Sequence, residues 1–370
     1  MVINKNNSLS KSFFNEERER INAEQAMTFI EKLRKQPVFA YAVFALVLAA
    51  VQLLSQIGII SSSLVTAIGI TIIYSIVALG FCLLLGYSAL ASLGTAGFIA
   101  IGAYAAFFCI AEWGLTLGVA FIVAIVIALI IGVIVGYISL RIEGIYLAIV
   151  TLGISEIIKE VLGALSDSIK IKGSQLMLFG IDGLEMKTEF VFYILVAVMF
   201  LLMVIIHNLM NSPTGRAMLA MKNSTSAAQA FGISLMKYRL LAFMISIVYA
   251  AVAGVLYMVY IRYASNSMGT LFTLSTSLNI LGAVIIGGTK SIWGTMGGVF
   301  IIYGLNQMFL QDIELFRKNP TLITLLCGAL VIVVVMFYPG GLTQLVLELK
   351  TKISKIRKKR KEARYGKDLG

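Results

Sequence analysis

Apolar residues run along this chain in long blocks. Ten stand out, near residues 38–60, 62–85, 94–113, 115–140, 143–163, 188–210, 240–261, 271–288, 292–310 and 320–338. A helix needs about twenty mostly apolar residues to cross a bilayer, and only a helix satisfies its own backbone hydrogen bonds in lipid. The pattern predicts an all-α polytopic membrane protein of about ten transmembrane helices. Two boundaries between blocks are unusual. GYSALASL (86–93) separates the second and third without a single charge, and GGTKS (287–291) separates the eighth and ninth. Both read as broken or re-entrant segments, tolerated where protein or water shelters the backbone.

The charged residues orient these blocks. The loop 211–239 contains Arg216, Lys222, Lys237 and Arg239 with no acidic residue, which places it on the cytoplasmic side. Segment 164–187 balances Lys170, Lys172 and Lys187 against Asp167, Asp182 and Glu185, as an external loop does. Both termini read as cytoplasmic, and an even number of spans satisfies all of these placements. The chain thus divides into an N-terminal extension (1–36), a membrane domain (37–339) and a basic tail (340–370). Residues 15–36 are rich in helix formers, acidic first and basic last, and predict a surface helix or a loosely ordered tail.

Composition narrows the function. Hydrophobic residues make up 59% of the 370 and charged ones 13%, with a mean hydropathy of +0.94, which no water-facing domain could carry. The net charge of +12 does not point to nucleic acid, because ten of the thirty basic residues lie in the tail from Lys350 to Lys367. Directly after a membrane segment, such a tail reads as an anchor to anionic lipid head groups, with an RNA or ribosome contact as the alternative. The first 36 residues hold no apolar core of signal-peptide length, so targeting is expected from the first span. Cys82, Cys109 and Cys327 all lie within apolar runs and read as small buried side chains.

Catalysis finds little support. His207 is the one histidine, which excludes a multi-histidine zinc site, and neither HExxH nor GxxxxGK[ST] occurs. The chain is therefore not expected to hydrolyse ATP by itself. A Ser88–His207 dyad is the hydrolase arrangement left open, although His207 at a span end also reads as an interfacial ring. Within the fifth span, Glu156, Lys159 and Glu160 share a helix face. Ionisable groups at membrane depth usually face protein or water, so Glu156 is a candidate for the translocation route; alternatively the span ends near Ile158. Asn279 is a second polar candidate, for interhelical hydrogen bonding.

Small residues form the dominant motif. Gly86, Gly94, Gly97 and Gly102 in the first half, and Gly282, Gly287, Gly288, Gly294, Gly297 and Gly298 in the second, let helices approach closely. The phrases SLGTAGF (92–98) and IWGTMGGVF (292–300) suggest an internal repeat, an arrangement in which substrate passes near interrupted helices. Gly86, Gly94, Thr95, Gly97, Gly287, Gly288 and Gly294 are accordingly candidates for pathway lining or helix packing.

Four segments resemble the branched-chain amino acid ABC transporter permeases: LGFCLLLGYSALASLGTAGFIAIGAYAA (79–106), RIEGIYLAIVTLGISEI (141–157), SPTGRAMLAMKNSTSAAQAFGISLMKYRLLAFMISIVYAAVAGVLY (212–257) and ILGAVIIGGTKSIWGTMGGVF (280–300). Their order and the hydrophilic N-terminal extension look more like the larger of the family's two membrane subunits. The resemblance implies an importer in a bacterial inner membrane. A second related permease, two cytoplasmic ATPases that bind ATP and Mg²⁺, and an external binding protein would complete it. This chain would bind no cofactor. Its substrates would be leucine, isoleucine and valine; urea or another small amide, or a self-contained carrier or channel, stays open. The resemblance also makes 211–239 an ATPase-coupling loop, with Ala227, Ala228 and Gly232 as the docking helix and Arg216 in the same loop. The family usually places an acidic residue shortly before the alanines. Here Asn223, Ser224, Thr225 and Ser226 precede them, so Ser224 or Thr225 is expected to cap the helix.

Overall fold

The computed structural model describes residues 37–140, 145–166, 168–171, 188–265, 272–308 and 320–351, apart from positions 339, 346 and 349. The N-terminal surface helix, most of the balanced segment 164–187 and most of the basic tail lie outside the described residues. The chain divides into two units, residues 1–48 and 49–370. The first is described from Pro37, where helix α1 (Pro37–Gln56) begins with proline at a position that needs no N–H partner.

In the second unit the described residues of every remaining apolar block lie mainly in helices. The helices are α2 (Ser62–Ser88), α3 (Thr95–Phe107), α4 (Leu117–Ser139), α5 (Ile145–Leu165), α6 (Thr188–Asn211), α7 (Pro213–Asn223), α8 (Thr225–Ala230), α9 (Leu235–Ile261), α10 (Leu274–Gly287), α11 (Ile292–Val299), α12 (Leu305–Met308) and α13 (Pro320–Phe337). Helix α3 continues through a π-helical turn at Phe108–Glu112, and a second π turn, Phe300–Gly304, joins α11 to α12. Among the described residues six stretches, α1, α2, α3 with its π turn, α4, α6 and α9, are long and apolar enough to cross a membrane. Helix α5 has sufficient length but carries Glu156, Lys159 and Glu160, and α10 has only 14 residues. Two three-residue strands, Ser168–Lys170 and Tyr263–Ser265, pair antiparallel after α5 and α9, a minor addition to the helical architecture.

Both interruptions expected from the sequence are present, although the first is narrower. Helix α2 runs on through Gly86 to Ser88 and stops where Ala89 adopts φ 54°. Helix α10 stops at Gly287, and Gly288 follows at φ 104°. The two small-residue phrases therefore play the same local part, each leading into a helix (α3 or α11) that later contains a π turn.

Packing follows an inside-out logic. Helix α4 turns a stripe of mostly small residues, Ala120, Ala124, Ala128, Gly132 and Gly136, to the interior, and exposes Ile122, Val126, Ile130, Ile134 and Ile138. A water-facing helix would expose its polar side; here the large aliphatic residues cover the face that lipid solvates. Helix α2, apolar all round, is mostly buried against α9, α6, α10 and α11. The tightest crossing pairs α3 with α9. A Cβ on Gly102 would collide with the Ala251 carbonyl, and one on Gly254 with the Ile99 carbonyl. Between these glycines the two backbones touch directly. Tyrosine hydroxyls tie the helices together: Tyr249 donates to Leu202 O at 2.8 Å and Tyr260 to Val65 O at 3.2 Å.

Gly254→Val is expected to lower the unfolding midpoint of the detergent-purified protein, at a cost of about 2–3 kcal/mol for forcing the helices apart. Gly153→Ala, at an exposed helical position with no atom within 4 Å of the added carbon, should not lower it, and helix propensity favours a gain of up to about 1 kcal/mol.

Candidate functional site

Two places gather the polar groups that a moving membrane protein would use. The first is the loop between α6 and α9. Ser212 starts α7, its Oγ accepting from Gly215 N–H at 3.2 Å with Pro213 next in sequence. Ser224 then ends α7 and begins α8: its own N–H donates to Ala220 O at 3.1 Å, and its Oγ accepts from Ala227 N–H at 3.3 Å. Of the two caps the sequence allowed, Ser224 is the one used. One extended residue thus separates two helices. Ala228 packs inward, whereas Thr225, Ser226, Ala227, Gln229 and Ala230 are exposed. Gly232 follows at φ 78°, a left-handed backbone that favours glycine, and its N–H bonds to Gln229 O at 2.9 Å. Arg216, also exposed, donates to Asn211 O at 3.0 Å and so closes the start of α7.

Phe231 is the feature of this loop that sequence reasoning missed. It is 86% exposed at the end of α8, beside a cavity of about 520 Å³ lined by residues that include Leu140, Gln229, Ile233 and Arg239. The signal was visible as a lone aromatic residue in an otherwise small and polar stretch, STSAAQAFGIS.

The second place is the buried start of α3. A helix leaves its first N–H groups without intrahelical partners. Here Leu93 N–H donates to Thr151 Oγ1 at 3.1 Å, Gly94 N–H to Ser92 Oγ at 3.3 Å, Ala96 N–H to Ser277 Oγ at 3.0 Å and Gly97 N–H to Ser155 Oγ at 2.8 Å. Thr151 and Ser155 come from α5 and Ser277 from α10. The hydroxyls fit only because their partners are small: a Cβ on Gly94 would meet Thr151 O at 2.8 Å, and one on Gly97 the Ser155 Oγ at 2.8 Å. Thr95 is buried with them.

The other break is built from the same materials. Gly287 and Gly294 oppose each other backbone to backbone, Gly288 lies against Gly340 and Thr343, and Thr343 Oγ1 donates to Gly287 O at 2.8 Å. Ser291 caps α11, its Oγ accepting from Gly294 N–H at 3.2 Å. Gly86 sits directly on the Thr289 carbonyl, so the end of α2 touches the turn between α10 and α11. Lys222 of α7 reaches the same spot, its ammonium donating to Leu85 O at 3.1 Å and Gly86 O at 2.8 Å. Burial, and then the positive charge of Lys290, hold its pKa below the ordinary lysine value.

The remaining candidates stand apart. Glu156, on α5, pairs with Lys159, which also approaches Glu160 at 3.8 Å. Asn279 is half-buried on α10. The hydrolase arrangement is not assembled: Ser88 Oγ is buried with no hydrogen-bond partner, while His207 Nε2 lies 3.1 Å from Asn211 Nδ2, one turn along its own helix.

A helical bundle with an aliphatic outer face, two interrupted helices and an exposed short helix between longer ones is the architecture of a multi-pass membrane protein. Over residues 63–335 the chain matches the family described as "Branched-chain amino acid transport system / permease component", and it belongs to that family. It is 29% identical over 318 residues to the high-affinity branched-chain amino acid transport system permease protein LivM of Escherichia coli (strain K12), a match that covers 77% of this chain and 72% of that protein. The LivM of Salmonella typhimurium (strain LT2) is 29% identical over 313 residues, covering 76% and 71%. A shorter match, 29% over 152 residues and 40% of this chain, is to 42% of the autoinducer 2 import system permease protein LsrC of Enterobacter sp. (strain 638). No solved structure matches the chain.

Thr151→Val removes the acceptor for Leu93 N–H while keeping the side chain's shape. It should destabilise the purified protein by about 1 kcal/mol in thermal unfolding, the scale for a lost hydrogen bond to a partly buried donor. Thr151→Ser, which keeps the hydroxyl, should lose much less.

Proposed function

We propose that this chain is a permease subunit of an ATP-driven importer for leucine, isoleucine and valine. The observation that carries the reading is helix α8: in a chain of this family, a short helix stands out from the bundle with Ala227 and Phe231 exposed and ends at the left-handed Gly232. Such a helix suits the groove of a cytoplasmic ATPase. Small residues allow close seating, the aromatic side chain supplies an apolar anchor, and the glycine ends the helix. The loop bears only basic charges, which favours the cytoplasmic side and, with it, cytoplasmic termini.

In this reading two ATPase subunits bind ATP and Mg²⁺ and move α8. Because α8 joins α7 through the single residue Ser224, and α7 packs on α2, α6 and α9, the motion enters the bundle through α7. A second, related permease completes the pathway, and an external binding protein delivers the amino acid and supplies much of the selectivity. The complex sits in a bacterial inner membrane. The partial match to an autoinducer 2 import permease favours a second reading, in which the same machinery moves another small solute.

Purifying the tagged chain in mild detergent and identifying its companions by mass spectrometry tests the assembly. ATPase subunits and a related permease are expected, along with ATP-dependent leucine uptake once the complex and its binding protein are in proteoliposomes. Recovery of the chain alone, even after crosslinking, would overturn the reading. Phe231→Asp should weaken ATPase retention about tenfold or more, the effect of losing an interface anchor.

A further inference from the structure

A docking helix is useful only if something carries its displacement to the helices that must move. Several polar contacts in the loop close within the loop: Arg216 on Asn211 O, and Ser224 on Ala227 N–H. Lys222 behaves differently. It sits in the last turn of α7, two residues before the Ser224 junction with α8, and reaches out of the loop to α2.

Its acceptors are the part of α2 that most needs a cation. Helix α2 ends at Ser88, so its last carbonyls have no intrahelical donor, and they mark the negative end of the helix dipole. Leu84 O is satisfied by Leu90 N–H at 3.2 Å, while Leu85 O and Gly86 O receive the Lys222 ammonium at 3.1 and 2.8 Å. The same residues touch the second interruption. Gly86 is in backbone contact with Thr289, and Cys82 Sγ, one turn earlier on α2, donates to Thr289 O at 3.2 Å. One ammonium group therefore joins the loop, the end of α2 and, through Gly86, the turn between α10 and α11.

We infer that Lys222 is the coupling strut of this permease, a positioning residue that passes displacement of α8 to the two interrupted helices. The inference rests on the importer reading above. Without the strut the loop still docks, because Ala227 and Phe231 are untouched, but α7 slides past the end of α2 instead of carrying it along. ATP hydrolysis then continues without transport.

The test uses the complete complex, with its binding protein, in proteoliposomes, comparing wild type with Lys222→Met, Lys222→Arg and Lys222→Gln. Three quantities are read: ATPase subunits retained, ATP hydrolysed, and radiolabelled leucine taken up per ATP. Methionine matches lysine in length but cannot donate; K222M should keep its ATPases and hydrolyse ATP within about twofold of wild type, with uptake per ATP reduced about tenfold or more. Arginine keeps the charge and the donors, and should recover most of the coupling. Should K222M fail to fold, K222Q, too short to serve both carbonyls, should show the same uncoupling. Uptake per ATP equal to wild type in K222M or K222Q overturns the proposal, and so does loss of the ATPase subunits from K222M, which would make Lys222 an assembly residue. Wild-type complex that binds no ATPase overturns the importer reading itself, and the strut with it.

Discussion

A helix that starts inside a membrane protein must find partners for N–H groups that water would otherwise serve, and this constraint shapes the centre of the molecule. Four donors, two in the first turn of α3 and two just before it, are met by hydroxyls, two from α5, one from α10 and one from the segment preceding α3. In an apolar medium an unpaired amide costs several times what it would at a wet surface, so α3, α5 and α10 are bound as a group. The glycines of this region follow from the same requirement. A side chain on Gly94 or Gly97 would occupy the space through which Thr151 and Ser155 approach.

Around this centre the chain replaces the usual driving force for packing. Lipid is as apolar as leucine, so helices gain little by hiding large aliphatic residues from it. The bundle instead brings backbones together through small residues, at Gly102 with Ala251, Gly254 with Ile99 and Gly287 with Gly294, and leaves the isoleucines of α4 outside. Contacts of this kind are close but not deeply interlocked, a geometry suited to helices that shift against one another. The π turns in α3 and after α11 add places where the regular ladder is already relaxed.

The loop between α6 and α9 is made in the opposite way, from local chemistry. Ser212, Pro213, Ser224 and Gly232 each act within a few residues of their own position, and together they produce two short helices and an exposed tip. The loop is coupled to the bundle through packing of α7 and through Lys222, so one side chain joins a locally determined surface element to the tertiary junction of the interrupted helices.

This division also explains what could be read from the sequence. The apolar blocks that the described residues show as helices, the membrane environment, the two interruptions, the loop and a cap from Ser224 or Thr225 were legible, because each depends on composition and spacing within one segment. Ser291 caps its own helix α11 by the same local chemistry, a role that sequence reasoning did not assign. The caps supplied by α5 and α10 were not legible: Thr151 lies 58 residues from Leu93, and Ser277 lies 181 from Ala96. In the sequence Lys222 is one basic residue among several, and only its position 136 residues beyond Gly86, against an open helix end, makes it distinctive. Phe231 was visible as a residue but not as a tip, since exposure depends on which neighbours the fold places beside it. The sequence by itself thus determined which segments are helical and where they break to within a few residues, since those outcomes answer mainly to local backbone and solvent energies. The tertiary structure alone decided which hydroxyl, glycine or ammonium meets which orphaned backbone group, because those partners are brought together only when distant helices pack.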